Sequence, residues 1–589
     1  MQIKFTGGAG VLTGSCHLIT YNDKNILLDC GLFQGKAEVE KLNEEDFPFD
    51  PKSIDYVILS HAHIDHSGRI PLLVKKGFRG RIYASSPTYD LCTIMLMDSA
   101  HIQETEAEWK TRKALRKGEE PLEPLYTKAD AEKSLNYFKP VIYGQYEEID
   151  DILTMRFLDA GHILGSSIVE MWFKENGETR KLVFSGDIGM TQKPIIRDPQ
   201  IVEKADYLIL ESTYGNRFHD SVEERVEKLA ITILDTIKKN GTVVIPAFAV
   251  GRTQEIIYEL NEHYDGESEF KKEFSKVPVY IDSPLASKAT DVFKKNAHVF
   301  DAKTREKIMS GDNPLEFKNL HFTQSVDESK ALNASTKPKV IISASGMCNA
   351  GRIRHHLKHN LWRENATVVF IGYQAEGTLG KILKEGAKSV KLFGEDVAVN
   401  ANIVSIEGFS GHADQEGLLK WVEAIKEKPK KIFLVHGEQE AKLELSEKIA
   451  QKFNIETHIP QMNAVYRIEG EQVSQLEEGY LLDSDEVEKK EFKKDKKLVL
   501  DDRIKEFEAI IETIERSDEE MIEADKRQAL LHEIEALKDL ADEILTKTED
   551  AIENKQIRIK NYKQLNNLIK ELEKTLVNLS LNNTQENFK

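Results

Sequence analysis

Short apolar runs separated by glycine-rich turns dominate the first third of the chain. Residues 3–5, 16–20 and 26–29 have the lengths and side chains typical of β-strands. Residues 92–138 are charged and have helical spacing, so we interpret them as a helical insertion in the same unit. This pattern predicts a first domain over residues 1–205.

A regular alternation of apolar strands and amphipathic helices begins near residue 206. Compact apolar runs predict strands at residues 207–210, 242–246, 279–282, 339–343 and 367–372. Residues 222–239 and 252–264 have helical periodicity, and they lie between the first three of these predicted strands. The alternation is typical of a parallel α/β sheet and predicts a second domain over residues 206–377. Short strands return over residues 378–472, which we assign to the first domain.

The composition changes again in residues 484–589, where glycine disappears and Lys, Glu, Leu and Ile dominate. Apolar side chains recur there at helical spacing, for example at Leu530, Ile534, Leu537, Leu540 and Ile544. We expect a helical C-terminal extension whose helices pack together or pair with a second copy of the chain. A homodimer through these helices is the expected assembly, and a solvated helical tail is the alternative.

Composition and charge restrict the class of protein. A chain of 589 residues is too long for a single core. A net charge of −19 argues against non-specific nucleic-acid binding by the whole surface, although a local basic cleft stays compatible with it. Four scattered cysteines without a CxxC pair argue against a cysteine-based metal site and fit a reducing compartment. With no apolar run of ~18 residues and no signal-peptide pattern, we expect a cytoplasmic protein.

The segment LSHAHIDHSG places His61, His63, Asp65 and His66 directly after an apolar run. Imidazole nitrogens and carboxylate oxygens are ligands that suit Zn²⁺. A single zinc takes only ~3–4 protein ligands, so four candidates in one motif indicate two ions and further ligands downstream.

Three further candidates follow apolar runs and stand beside glycine: His162 in LDAGHILGSS, Asp187 in LVFSGDIG and His436 in IFLVHGEQE. Isolated loop histidines with surface hydrogen bonds are the alternative interpretation. We reject it because unpaired His and Asp gathered at buried strand ends would be costly without a metal. We predict two metal sites that share Asp187 as a bridge, with His61, His63 and His162 at one and Asp65, His66 and His436 at the other.

The motif His61-Ala-His63-Ile-Asp65-His66 and its three downstream partners resemble the metal-binding set of the metallo-β-lactamase fold. Asp29, in LLDCGLFQG, resembles the aspartate that stands behind the metal ligands in that superfamily. Lactamases, thioesterases, lactonases and nucleases all belong to the superfamily. The HxHxDH motif therefore leaves the substrate open.

The stretch between Asp187 and His436 is longer than a compact metallo-β-lactamase domain needs, so we expect residues 206–377 to be an inserted domain. Glu211 in LILESTYGNR and His412 in SIEGFSGHADQEG resemble motifs A and B of the β-CASP nucleases, and His436 resembles motif C. In this family a histidine at motif C accompanies RNA substrates.

The segments PAFAVGRTQE and ISASGMCNAGRIRHHL add to this resemblance, which covers residues 1 to about 470. It is closest to bacterial and archaeal β-CASP ribonucleases and to the endonuclease subunit of the eukaryotic pre-mRNA 3′-end cleavage complex. The implied fold class is α/β: a metallo-β-lactamase αββα sandwich with an inserted parallel-sheet β-CASP domain.

Candidate substrate-binding residues lie in those two segments: Ser345, Gly346, Arg252, Arg352, His355 and His356. Ser345 and Gly346 follow a predicted strand, and small residues there let backbone N–H groups approach a phosphate. The arginines are candidates to line a basic groove. The two histidines are interpreted as phosphate contacts or as structural residues.

The resemblance implies a zinc-dependent ribonuclease acting on single-stranded RNA, an endonuclease with 5′→3′ exonuclease activity left open. Two zinc ions per chain are expected, and manganese could replace them. Asp187 would position both ions, and His412, oriented by Glu211, would protonate the departing 3′ oxygen. The alternatives are a hydrolase of a small ester, thioester or lactone and a non-catalytic RNA-processing scaffold. The large insert argues against the first, and the complete ligand set argues against the second.

Overall fold

The computed structural model describes residues 1–481 except residues 176–177, 220–221, 265–267, 373, 375–376 and 407. The predicted helices of residues 484–589, and a homodimer through them, lie outside the described residues. Every structural statement below concerns the described part of the chain.

The strands of this part are, in chain order, β1 (Gln2–Gly7), β2 (Cys16–Tyr21), β3 (Lys24–Leu28), β4 (Tyr56–Ile58), β5 (Arg81–Ser85), β6 (Phe138–Val141), β7 (Tyr146–Glu148), β8 (Leu153–Asp159), β9 (Ser167–Glu175), β10 (Glu178–Phe184), β11 (Tyr207–Glu211), β12 (Thr242–Pro246), β13 (Val279–Ile281), β14 (Leu320–Phe322), β15 (Lys339–Ser343), β16 (Thr367–Phe370), β17 (Ser389–Leu392), β18 (Glu395–Ala398), β19 (Asn402–Ser405), β20 (Lys431–Val435), β21 (Glu456–His458), β22 (Ala464–Glu469) and β23 (Gln472–Glu477).

The helices are α1 (Ala37–Lys41), α2 (Ile64–Ser67), α3 (Ile70–Lys75), α4 (Ser86–Lys117), α5 (Lys128–Leu135), α6 (Val222–Lys238), α7 (Arg252–Tyr264), α8 (Glu269–Phe274), α9 (Pro284–Lys295), α10 (Ala302–Met309), α11 (Val326–Ala334), α12 (Ile353–Asn360), α13 (Leu379–Lys384), α14 (Gln415–Ala424) and α15 (Gln439–Phe453). Within the described residues, no helix combines the length and the apolar composition that crossing a bilayer requires. The four cysteines are buried and free of disulfide bonds. The cytoplasmic location stays a prediction from the sequence.

Two large sheets pack face to face and form the sandwich that the sequence predicted. Their strand orders are β23-β22-β1-β2-β3-β4-β5-β6 and β21-β20-β11-β10-β9-β8-β7. Side chains from both sheets, such as Phe5, Phe157 and Phe433, share one apolar core between them. Helices α3 and α4 pack on the outer face of the first sheet, and α14 and α15 on that of the second. The predicted αββα arrangement is therefore confirmed.

A third sheet has the order β14-β13-β15-β12-β16-β19, and all of its strands run parallel. Helices α12 and α13 bury apolar side chains such as Leu357 and Leu383 against one face. The other face packs against α6 and α7 through residues such as Leu229 and Ile256. The predicted inserted parallel sheet is confirmed.

Two strands join a different sheet from the one that the predicted domain boundaries imply. Strand β11 pairs in parallel with β10 and β20, so it belongs to the sandwich although the insert was predicted to begin at residue 206. Strand β19 pairs with β16 in the third sheet although residues 378–472 were assigned to the sandwich. Strand β11 is a continuous buried apolar run, which suits a central strand of any sheet, and β19 is a four-residue, half-exposed edge strand, so neither sequence identifies its neighbours. We propose that the inserted unit begins after β11 and ends after β19.

Candidate metal centre

The predicted metal ligands converge at one edge of the sandwich, where several strands end. They occupy the loop after β4, helix α2, and the loops after β8, β10 and β20: His61 and His63, Asp65 and His66, His162, Asp187, and His436. Strands that end at the same sheet edge bring side chains together from distant parts of the sequence. The structure therefore assembles all seven candidates in one place.

The first donor set contains three imidazoles and one carboxylate. His63 Nδ1 lies 3.1 Å from His61 Nε2 and 3.1 Å from His162 Nε2. Asp187 Oδ2 lies 3.5 Å from His61 Nε2 and 3.6 Å from His162 Nε2. These four atoms surround one point and could hold one metal ion.

The second donor set adjoins the first through the same aspartate. His66 Nε2 and His436 Nε2 are 3.0 Å apart, and His436 Nε2 is 3.4 Å from Asp65 Oδ2. His66 Nε2 also lies 3.4 Å from Asp187 Oδ2. Asp187 thus contacts histidines of both sets, as expected of a bridging ligand.

Hydrogen bonds behind the ligands determine which ring nitrogen faces the centre. The Ser60 hydroxyl donates to Asp29 Oδ2 at 2.9 Å, so it accepts from His61 Nδ1 at 3.0 Å. His66 Nδ1 donates to Asp29 Oδ2 at 2.7 Å. Both rings are thereby oriented with Nε2 toward the donor sets. Asp29, predicted to stand behind the metal ligands, contacts His66 directly and His61 through Ser60.

Thr213 orients His436 in the same way and was missed from the sequence. Its hydroxyl donates to the His436 carbonyl oxygen at 3.0 Å and therefore accepts from His436 Nδ1, also at 3.0 Å. Ser60 was missed as well. Both hydroxyl residues directly adjoin motif segments, Ser60 before His61 and Thr213 two residues after Glu211. That adjacency is the one signal that could have identified them.

Burial and charge prepare these groups for a cation. Burial lowers the pKa of His61 and His162 well below the ordinary range and that of His63 to about 4, so these three imidazoles are neutral. Burial also lowers the pKa of His66, but the carboxylates of Asp187, Asp29 and Asp65 raise it by more, so it lies well above its ordinary value. Burial raises the pKa of Asp187, but the surrounding histidines lower it by more. The pKa therefore lies well below its ordinary value, and the carboxylate stays charged. Asp187 Oδ1 is buried and accepts no hydrogen bond from any described residue. Neutral imidazoles around an unsatisfied carboxylate are a donor set that fits Zn²⁺.

Glu211 and His412 form a pair beside the two donor sets. His412 Nδ1 lies 3.2 Å from Glu211 Oε1 and 3.8 Å from Asp187 Oδ2. The backbone N–H of Ile188 donates to Glu211 Oε1 at 2.7 Å and fixes this carboxylate. Burial lowers the pKa of His412, but the Glu211 carboxylate raises it by more, so this pKa lies above its ordinary value. A charged imidazole held in this way can donate a proton from Nε2.

Close packing around the centre requires glycine at two positions that contact its candidate ligands. A Cβ atom on Gly411 would come within 2.8 Å of His162 Cε1, and one on Gly31 within 1.6 Å of the Asp65 carbonyl oxygen. Any larger residue would displace a candidate ligand. These two positions therefore belong to the architecture of the centre.

Ser345 and Gly346 lie in the loop after β15, at the carboxyl edge of the third sheet. The Ser345 hydroxyl is buried and has no hydrogen-bond partner among the described residues. Gly346 packs against the ring of Phe248. Both stay candidates for substrate binding.

Two other predicted substrate-binding residues are engaged within the chain. His356 is fully buried, with Nε2 2.6 Å from Asp282 Oδ2 and Nδ1 2.9 Å from Asn333 Oδ1. Arg352 donates to Asp282 Oδ1 at 2.6 Å and to the Gln324 carbonyl oxygen at 2.7 Å. Of the two interpretations of His356, a structural role is favoured over a phosphate contact, because both of its ring nitrogens are satisfied internally. Asp282, which organises this network, was missed although it follows a strand as Asp187 does.

His355 is exposed and stacks on Phe393 with ring centroids 4.3 Å apart. Arg252 belongs to a buried charge cluster instead of an open groove. Glu255 there lies 3.4 Å from Arg252 Nη1, 3.4 Å from Arg225 Nη2 and 3.5 Å from Lys193 Nζ. The Arg225 guanidinium lies over the ring of Phe409, with Cζ 4.8 Å from the ring centroid. This contact connects the cluster to the segment that carries His412.

Replacing Glu255 with glutamine should lower the free energy of unfolding by about 3–5 kcal/mol, because three buried cations lose their shared carboxylate. Urea denaturation followed by circular dichroism measures the change. The matched control is Glu273→Gln, which breaks an exposed pair with Lys238 and should cost less than about 1 kcal/mol. Equal stability of the two variants would contradict the role assigned to Glu255.

Comparison with known proteins adds three family matches. The metallo-beta-lactamase superfamily matches residues 9–233, the Beta-Casp domain matches residues 253–383, and the Zn-dependent metallo-hydrolase RNA specificity domain matches residues 396–460. Together these matches cover the sandwich, the insert and the return to the sandwich.

Curated relatives align with most of the described chain. Ribonuclease TTHA0252 of Thermus thermophilus is 36% identical over 76% of this chain and 96% of its own length. Transcription termination factor FttA of Methanocaldococcus jannaschii is 31% identical over 78% of this chain and 70% of its own. The factor of the same name from Methanothermobacter thermautotrophicus is 33% identical over 77% and 70%.

Proposed function

This chain belongs to the β-CASP family of the metallo-β-lactamase superfamily, and from that premise we propose that it is a zinc-dependent ribonuclease acting on single-stranded RNA. One observation carries the proposal: two adjoining donor sets share Asp187, and the Glu211–His412 pair stands beside them. This arrangement supplies what phosphodiester hydrolysis requires, a cation centre next to a proton donor.

We assign one zinc ion to His61, His63 and His162 and a second to Asp65, His66 and His436, with Asp187 shared. When bound, the ions supply Lewis acidity that activates water near neutral pH and stabilises negative charge on the phosphate. Manganese could replace zinc, because imidazole and carboxylate ligands also suit that metal. In this proposal Asp187 Oδ1, which accepts no hydrogen bond from the described residues, would accept one from the attacking water.

His412 acts as the general acid. Glu211 holds His412 Nδ1 at 3.2 Å, which leaves Nε2 to give its proton to the departing 3′ oxygen. The bond between phosphorus and that oxygen breaks, so the products carry a 5′ phosphate and a 3′ hydroxyl. The carboxylate keeps the imidazole protonated and fixes its orientation at the same time.

The two alternative functions receive less support. A hydrolase of a small ester, thioester or lactone has no use for the six-stranded insert or for the matched RNA specificity domain. A non-catalytic scaffold has no need to retain all seven donor residues in contact. Turnover of a chromogenic thioester or lactone without turnover of RNA would favour the first alternative.

The proposal is tested with a 5′-labelled single-stranded RNA, offered with a monophosphate or a triphosphate at its 5′ end. We expect cleavage that depends on zinc or manganese and is absent for a matched DNA strand or an RNA duplex. Internal fragments would assign endonuclease activity, and mononucleotides released from the 5′ end would assign exonuclease activity. No cleavage of any RNA with either metal would contradict the proposal.

Replacing Asp29 with asparagine should weaken zinc binding roughly 10–100-fold, because the residue that orients His66 and, through Ser60, His61 loses an acceptor oxygen. Competition with a chromogenic zinc chelator measures this affinity without reference to activity. Asp46→Asn, at an exposed ion pair with Lys76, is the control and should bind zinc as the unaltered protein does. Unchanged affinity in Asp29→Asn would remove the basis for the assigned ring orientations.

A further inference from the structure

An exposed phenylalanine of the inserted unit has no part in the chemistry described above. Phe248 lies in the loop between β12 and α7, and 46% of its surface is exposed. Its neighbours Ala247, Ala249 and Val250 are 1%, 7% and 4% exposed. The loop therefore buries its other apolar side chains and leaves only the aromatic ring outside.

The backbone of this loop is fixed against the residue that follows a candidate metal ligand. Gly251 packs so closely on Ile163, the residue after His162, that a Cβ atom would lie 2.9 Å from Ile163 Cγ2. The Phe248 carbonyl oxygen accepts from the Thr253 N–H at 3.2 Å and from its hydroxyl at 2.8 Å. Phe248 is thus held on an anchored loop, three residues before Gly251, which packs on the neighbour of the candidate ligand His162.

The ring of Phe248 also adjoins the loop after β15, where Ser345 and Gly346 are candidates for binding phosphate. A Cβ atom on Gly346 would lie 3.2 Å from both Cδ2 and Cε2 of the ring, so one side of the ring is supported by backbone. Ser345, with its buried and unpartnered hydroxyl, precedes this glycine. An exposed aromatic surface beside an unsatisfied polar group matches a nucleotide, which combines a flat base with phosphate oxygens.

We propose that Phe248 stacks on a base of the RNA next to the scissile phosphate and that this contact selects single strands. The inference rests on the proposed ribonuclease function and adds a specificity-determining residue to it. Every base offers an aromatic face, so such stacking tolerates any sequence. In a duplex both faces of a base are covered by its neighbours, and only an unstacked strand can offer one to Phe248.

The test uses a short RNA with one mapped cleavage site and variants of it that carry a single abasic nucleotide on either side of that site. Phe248→Ala should lower kcat/KM on the intact RNA roughly 5–150-fold, the range that corresponds to loss of one base–aromatic stack. Phe248→Trp should retain activity, because indole stacks at least as well. One abasic position should reduce cleavage by the unaltered protein to the same extent and should have no further effect on Phe248→Ala.

The matched control is Trp362→Ala, which removes another exposed aromatic residue. Trp362 is 56% exposed and precedes β16, at the opposite edge of the same sheet from Phe248. This variant should cleave intact and abasic RNA as the unaltered protein does. Thermal unfolding of Phe248→Ala should match that of the unaltered protein, since a half-exposed ring contributes little to the core.

Two failures are distinguishable. If the unaltered protein cleaves RNA and Phe248→Ala cleaves it equally well, or if the abasic effect persists undiminished in Phe248→Ala, the stacking proposal is overturned and the ribonuclease function stands. If the unaltered protein leaves every RNA intact, the proposed function itself fails. Loss of activity in Phe248→Ala with no abasic effect at any position would assign the ring to another contact and also overturn the proposal.

Discussion

Asp187→Ala is expected to reduce RNA cleavage on the order of a thousandfold or more while the protein stays folded. Asp187 Oδ2 lies 3.4 Å from His66, 3.5 Å from His61 and 3.6 Å from His162, so its loss removes the shared ligand of both donor sets. Zinc content per chain should fall as well. Rates on a 5′-labelled RNA and zinc analysis by mass spectrometry measure the two effects separately.

The control for this variant is Asp291→Ala, at an exposed position on α9. It should retain both full activity and full zinc content. Circular dichroism of both variants should match that of the unaltered protein. Cleavage by Asp187→Ala at the unaltered rate would refute the bridging role.

His412→Ala is expected to slow cleavage about 10²–10⁴-fold and to leave zinc content unchanged. The imidazole is oriented by Glu211 through Nδ1, which makes it a proton donor in our assignment instead of a metal ligand. Zinc loss in this variant would show that His412 is a ligand and would overturn the assignment. Asp187, His412 and Glu211 also lie close enough to form a donor set of their own, so this measurement is decisive.

A modified substrate separates acid catalysis from other effects of His412. Replacing the scissile 3′ oxygen with sulfur gives a leaving group that departs without a proton. On that substrate His412→Ala should cleave at nearly the rate of the unaltered protein, whereas Asp187→Ala should stay defective. An equal defect of His412→Ala on the oxygen and sulfur substrates would contradict a general-acid role.

The sequence was sufficient for the candidate ligands because their pattern is local. HxHxDH occupies the loop after β4 and the helix α2 that follows it, and each downstream partner follows an apolar strand beside a glycine. Strand ends at one sheet edge converge in any fold of this kind, so contact between His66 and His436, 370 positions apart, could be expected.

Residues that act through distant partners could not be predicted in this way. Thr213 orients His436 across 223 positions, and Asp282 engages His356 across 74. A hydroxyl or a carboxylate carries no sign of such a partner in its own segment. For this reason the sequence left His356 open as a phosphate contact or a structural residue, and its contacts with Asp282 and Asn333 favour the structural role.

The sheet that each strand joins was the other feature that the sequence could not predict. Strand β11 is a buried apolar run, and β19 is a short, half-exposed strand at the edge of the third sheet, so the composition of either would suit the sandwich or the insert. The position of Phe248 likewise depends on how segments distant in the sequence pack together. Its exposure follows from packing between the loop after β12 and the loop after β15, which no periodicity records.

Titration of metal-free protein with zinc, followed by cleavage of a 5′-labelled single-stranded RNA, tests the central claim most directly. The account predicts no cleavage in the chelated protein and an increase that reaches its plateau at two zinc ions per chain. Cleavage that is independent of metal, or an RNA that stays intact at every zinc loading, would contradict it.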